Sequence, residues 1–327
     1  MKREHPLRKF YDIIDNGEPT EKMKAVPAFP RIIEMEITNH CNFQCLMCKT
    51  GTGLAKRERG YMTAQLYDKF LKEIEGKGCA VKFVGQGEPT LHSEFVEFIK
   101  KAKEKGIICH LTTNGSMFNQ EYIAKILDSG LDSVKFSFQG VTAEGYRMLR
   151  KKDDFESLLQ RIEMLYRMRE DRRGGLPFIT IGTSVTQETE EEVRAFRKRV
   201  EKFCDKVEVG VTTLEYIDLT QIGDRATIQY LERMKEEQGG RARRYHCCHQ
   251  VFDVITLHWN GSICACCADN DEVMILGNLQ TMTLEDCWNS EKEKRFRSIL
   301  ADRQYEKLPL CRDCYDVYGW TYQENRD

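Results

Sequence analysis

Three cysteines, Cys41, Cys45 and Cys48, fall within the stretch ITNHCNFQCLMCKTG at residues 37–51. Their number is the informative feature. A tetrahedral structural metal site takes four ligands and a disulfide takes two, so a triad leaves a four-ligand centre one position short. A second field lies far downstream: Cys247, Cys248, Cys264, Cys266 and Cys267, then Cys311 and Cys314 in a C-x2-C spacing. Of the fourteen cysteines, only Cys79, Cys109, Cys204 and Cys287 stand apart. Soft thiolates gathered in this way point to metal or cluster ligation rather than to a disulfide framework.

The elements that must position these thiols are legible in the residue pattern. RIIEMEIT (31–38) alternates like a strand and delivers the chain to Cys41. Helical and strand patterns then alternate for six rounds to about residue 216, each helix carrying an apolar face and several stopping at glycine. Such alternation calls for parallel strands joined by right-handed crossovers, as a barrel or a doubly wound sheet. Chemistry on these scaffolds gathers where strands run out into loops. The triad, GQGEP (85–89), TTNG (112–115) and SFQG (137–140) all stand just after strands, which predicts one shared pocket. Past residue 217 the rhythm changes: a polar helical segment and a linker lead to a cysteine-dense tail, with a hairpin turning at Asn260–Gly261. The reading divides the chain into a leader (1–30), a core (31–216), a connecting segment (217–244) and a small tail unit (245–327) held less by core than by cysteines.

Bulk properties exclude several classes. With 41% apolar and 31% charged residues and a net charge of −2, no dominant nucleic-acid surface is indicated. No apolar run approaches the length of a membrane span. The charged N-terminal stretch lacks the features of a secretory signal, so a cytoplasmic location is expected.

The C-x3-C-x2-C spacing, together with its preceding strand and the following GQGEP, resembles the radical S-adenosylmethionine (radical SAM) superfamily. The resemblance implies a partial (β/α)6 TIM-type barrel in which Cys41, Cys45 and Cys48 hold a 4Fe–4S cluster whose fourth iron is left for SAM. The missing ligand is then the cosubstrate, and a 5′-deoxyadenosyl radical is the reactive product. It further implies that Gln86, Gly87 and Glu88 bind the methionine ammonium and that Thr113 and Asn114 reach ribose or substrate. Ser137 becomes a ribose-hydroxyl candidate, Arg150 a candidate for the SAM carboxylate, and Met47 a neighbour of the adenine in place of the usual aromatic. Gln86 replaces the first glycine of the family's Gly-Gly-Glu turn, and Gln139 replaces the usual aspartate of Ser-Ile-Asp-Gly. A flavodoxin- or ferredoxin-type electron donor is the implied partner.

The tail resembles the Twitch/SPASM subdomain of such enzymes. Cys248, Cys266, Cys311 and Cys314 would complete an auxiliary 4Fe–4S cluster with no open iron, which makes two clusters in all. Cys247 is an alternative to Cys248, and Cys264 or Cys267 to Cys266. Zinc is the competing occupant of four cysteines. The full SPASM pattern has further cysteines after the C-x2-C, so one auxiliary cluster is expected.

An auxiliary cluster suits oxidation, so dehydrogenation of a small molecule such as a sugar or cyclitol is the favoured outcome. The chain enters its barrel by residue 31, which leaves no room for the peptide-recognition domain common in peptide-modifying relatives. Epimerisation is the alternative, with Cys247, Cys264, Cys267 or Cys204 as candidate hydrogen-atom donors. Peptide modification is a third outcome, and a non-catalytic metal-bearing scaffold is the reading from a different class.

Overall fold

A computed structural model describes residues 3–14, 18–172, 175–212, 214, 217–239, 248, 250–312 and 314. Six parallel strands follow the chain in order: β1 (Ile32–Met35), β2 (Ala80–Phe83), β3 (Ile108–Thr113), β4 (Ser133–Ser137), β5 (Phe178–Val185) and β6 (Lys206–Val211). The expected alternation is thus realised as an open, partial barrel. Helices Ala64–Ile74, Phe95–Glu104, Gln120–Asp128, Phe155–Glu170 and Glu190–Val200 provide the crossovers. Their starts are set by side-chain caps that satisfy otherwise orphaned N–H groups. Thr63 accepts from Leu66 N, Asn119 accepts from Tyr122 N, and Thr189 forms a reciprocal capping box with Glu192.

The tail departs from the expected separate unit. After a short helix, Gln250–Asp253, strand β7 (Val254–Leu257) pairs in parallel with β1, and β8 (Ser262–Cys264) and β9 (Ile275–Asn278) continue antiparallel. The nine-stranded sheet has the order β6-β5-β4-β3-β2-β1-β7-β8-β9. Gly261 makes the predicted hairpin turn, at φ +87°. Ile255, Leu257, Ile263, Leu284 and Trp288 join the same apolar core as the barrel helices, so this region is packed by hydrophobic contact as well as by thiols.

The leader also has a definite job. Helix Arg8–Ile14 sets Leu7, Phe10 and Ile14 against Ile32, Ala80 and Val254, the first residues of β1, β2 and β7. It caps the N-terminal end of the half-barrel. The other end of the sheet is left for the site.

Strand alternation sorts the side chains. Ile33 and Met35 face the helices, while Glu34 alternates with them and forms an ion pair of 2.5 Å with Lys82 on β2. Lys135 on β4 reaches Glu208 on β6 at 2.7 Å. The inner wall is therefore polar and charged.

Candidate active site

Each strand terminus contributes one turn to the site. Beyond β1 the chain enters the cysteine loop, whose start and return are stapled together. Thr38 Oγ1 donates to Gly60 O at 2.7 Å, Asn39 Nδ2 donates to Glu58 O at 2.8 Å, and Gly60 N donates to Asn39 Oδ1 at 2.9 Å. Two glycines allow close backbone approach. A Cβ on Gly51 would lie 2.3 Å from Cys45 O, and one on Gly87 would lie 2.3 Å from Thr38 O. Across the second contact, Glu88 N donates to His40 O at 2.8 Å, fixing the turn after β2 onto the cysteine loop.

The Glu88 carboxylate is buried and fully engaged. Oε1 accepts from Thr90 N at 3.1 Å, Thr90 Oγ1 at 2.7 Å and Thr113 Oγ1 at 2.7 Å, and Oε2 accepts from Asn114 N at 2.6 Å. Burial pushes its pKa up, and these donors oppose the rise. Glu88 thus ties the turns after β2 and β3 together, and Asn114 Nδ2 continues the chain of bonds to Asn42 in the cysteine loop at 2.9 Å.

Arg150 ends helix Ala143–Arg150, and Lys151 follows at φ +55°. Its guanidinium is buried, with Nη2 donating to Ser137 O at 2.6 Å and Nη1 lying 3.6 Å from Cys45 Sγ. It stacks over Phe43 with 5.1 Å from Cζ to the ring centre, and its Nε has no hydrogen-bond partner among the described residues.

These turns enclose a cavity of about 540 Å³. Cys41, Cys45, Cys48, Met47, Gln86, Gly87, Glu88, Thr113, Asn114, Ser137 and Arg150 all line it, so the structure brings together every front-half site residue expected from the sequence. The sequence reading missed the far wall: Lys135, Gly182, Ser184, Glu208 and Gly210. A charged residue between two apolar ones in a strand, as in SVKFS, was the available signal.

The donor set fits an iron–sulfur cluster. Three soft thiols open onto one cavity, and burial pushes Cys41 up to about 11 and raises Cys45 against the pull of Arg150, so ionisation calls for a cationic partner. Arg150 supplies one positive charge beside them, and no fourth cysteine lines the cavity among the described residues. Nor, among the described residues, do three His, Cys, Asp or Glu side chains close around a single ion.

Of the tail thiols, Cys248 and Cys314 lie near enough to Cys266 to act on it electrostatically, and Cys314 N donates to Cys311 O at 3.4 Å within the C-x2-C turn. Cys267 is exposed, lies near enough to Glu34 and Lys82 to feel their charges, and is not among the described residues lining the cavity. Two candidate hydrogen donors are placed elsewhere. Cys204 precedes β6, at the strand's N-terminal end, with its thiol donating to Val200 O at 3.3 Å. Cys264 is fully buried in β8, 3.8 Å from His258 Nδ1. Neither lines the cavity, because strand direction puts the first at the opposite edge and packing encloses the second. Cys247 lies outside the described residues.

Comparison with known proteins identifies the family and the fold. Residues 35–200 match the Radical SAM superfamily, and residues 247–315 match SPASM, an iron–sulfur cluster-binding domain. A tungsten-containing aldehyde ferredoxin oxidoreductase cofactor-modifying protein from Pyrococcus furiosus is 24% identical over 328 residues, covering 87% of each chain. The fold is similar to BtrN in complex with AdoMet and 2-DOIA (TM-score 0.55, 16% identity, 86% of this chain and 92% of that one). It is also similar to SuiB of Streptococcus suis bound to precursor peptide SuiA (TM-score 0.63, 16% identity, 86% of this chain and 70% of that one). Among the described residues no helix is long and apolar enough to cross a membrane.

Proposed function

Because the chain belongs to the radical SAM superfamily and carries a SPASM domain at residues 247–315, we propose that it is a SAM-dependent redox enzyme that oxidises a small polar molecule by dehydrogenation. The reading is carried by one observation: three thiols, and no fourth among the described residues, open onto a cavity that is also lined by Glu88, Thr113, Asn114, Ser137 and Arg150 beside apolar side chains. When bound there, a 4Fe–4S cluster and SAM would supply reductive cleavage of SAM to a 5′-deoxyadenosyl radical that takes a carbon-bound hydrogen. A second cluster, on Cys248, Cys266, Cys311 and Cys314, would accept the substrate's remaining electron.

The chain's own residues would hold and orient these partners. Cys41, Cys45 and Cys48 are the front ligands. With the Glu88 carboxylate occupied by its four donors, the Gln86–Gly87 backbone is left to meet the SAM ammonium, while Glu88 holds that turn in place. Arg150 balances the thiolate charge and stands where a carboxylate would dock, with Ser137 on the same wall. Met47, Thr113 and Asn114 line the space for adenosine. A flavodoxin- or ferredoxin-type protein would deliver electrons, in the cytoplasm.

The small-molecule reading is supported by likeness to a cofactor-modifying protein; likeness to a peptide-bound structure supports a peptide substrate. Anaerobic reconstitution followed by reduction with SAM tests the proposal. Bound iron of about eight per chain and release of 5′-deoxyadenosine are expected; colourless protein holding zinc alone would leave only a scaffold. A product two mass units lighter marks dehydrogenation, whereas solvent deuterium at an inverted carbon marks epimerisation, for which Cys267 is the exposed donor candidate.

A further inference from the structure

The far wall of the cavity contains a charge arrangement that the proposed chemistry does not use. Lys135 Nζ lies 2.7 Å from Glu208 Oε2, and Lys206 Nζ lies 2.7 Å from Glu208 Oε1. One carboxylate is thus held between two ammonium groups, and the trio carries one net positive charge. Register explains the arrangement: Lys135, Thr180 and Lys206 are aligned across β4, β5 and β6, and Glu208 stands one inward-facing position further along β6, opposite Gly182. Gly182 makes the crossing possible, since a Cβ there would lie 2.3 Å from Lys135 Cε. Lys135 and Glu208 line the cavity and remain 38% and 36% exposed; Lys206, 54% exposed, is not among the described residues lining it. Around them Gly182, Ser184 and Gly210 leave that wall nearly bare of side chains.

We infer that this wall is an anion subsite, in which Lys135 anchors a carboxylate or phosphate group of the substrate. The inference rests on the reading of the cavity as a substrate chamber. The physical reason is that Glu208 has two cations. Lys135 can turn to an incoming anion while Lys206 keeps Glu208 paired, so the exchange leaves no carboxylate unpaired. A simple Lys–Glu pair would resist the same exchange. The bare wall supplies the room, and an anion held there directs the rest of the molecule across the cavity toward Cys41, Cys45 and Cys48.

The test uses reconstituted protein with 13C-methylated lysines, the Lys135 signal being the one lost in Lys135→Arg. Titration with inorganic phosphate and, separately, with propionate should shift that signal saturably, at concentrations at least fivefold below those that move exposed lysines. The tighter probe identifies the acidic group. Saturating SAM without reductant should leave the response in place. Lys206→Met should weaken binding severalfold, because Lys135 must then stay with Glu208, and Glu208→Gln should strengthen it. The subsite is refuted if the Lys135 signal moves only in step with exposed lysines, if SAM abolishes its response, or if Lys206→Met leaves affinity unchanged. Release of 5′-deoxyadenosine by the unmodified protein is scored separately: release without a Lys135 response refutes only the subsite, whereas an anion response without release refutes the proposed reaction.

Discussion

Arg57 lies on Glu36 with its Nη2 2.8 Å from both carboxylate oxygens, and the same guanidinium donates through Nε to Asn270 O at 2.6 Å and meets Glu272 at 3.5 Å. Glu36 extends β1 and Arg57 sits in the loop after Cys48, whereas Asn270 and Glu272 belong to the loop after Cys266. One side chain therefore bolts the two cysteine-bearing loops together, assisted by Lys49 on Asp271 and by His258 and Asn260 on Glu272.

Both members of the Arg57–Glu36 pair are nearly inaccessible, with side chains 8% and 1% exposed. Arg57→Met should destabilise the protein by about 3 kcal/mol, because it leaves a buried carboxylate without its cation. Arg57→Lys should rescue only partly, since an ammonium cannot span the forked contacts. Thermal unfolding of reconstituted protein measures both.

Glu88→Gln replaces one acceptor oxygen with an N–H group facing donors. Losing bonds from among Thr90, Thr113 and Asn114 should cost about 2 kcal/mol. It should also raise the KM for SAM through displacement of the Gln86–Gly87 backbone. Retained iron with a raised KM is the expected signature; unchanged KM would leave Glu88 no part in shaping the SAM turn.

If Cys266 and Cys314 hold the tail cluster as proposed, Cys314→Ala or Cys266→Ala should lower bound iron to about half, roughly four per chain. Cys287→Ala, at a buried thiol beside Gly277 in the tail core, should leave the iron count unchanged. Iron analysis after anaerobic reconstitution distinguishes the two outcomes.

Glu293 is fully buried, neither carboxylate oxygen has a hydrogen-bond partner among the described residues, and burial pushes its pKa up to about 8 against the pull of Arg297 at 3.6 Å. The folded state therefore binds this proton more tightly than the unfolded chain. Its contribution to stability is greatest below about pH 4.5 and is lost as pH rises toward 8. Stability should fall by about 4 kcal/mol across that window, and Glu293→Gln should flatten the dependence. Denaturant midpoints at pH 6, 7 and 8 measure it.

The sequence by itself pointed to thiolate cluster ligation and to parallel strands joined by crossover helices. Cysteine spacing is a local property, and a loop of eight residues carries Cys41, Cys45 and Cys48 to one place whatever surrounds it. The alternation of apolar periods of two and about 3.6 likewise specified parallel strands with crossover helices, so the turns after β2, β3 and β4 had to lie at one edge. Tertiary structure alone decided what depends on register between distant strands. That β7 pairs with β1 is a long-range choice with no local signature, and it makes the tail an extension of the core sheet. The Lys135–Glu208–Lys206 trio spans three strands, and its existence turns on a glycine at 182 being opposite Glu208. Thiol placement divides in the same way: Cys204 and Cys264 are donor candidates as spare thiols, but strand direction sets the first at the opposite edge and packing encloses the second.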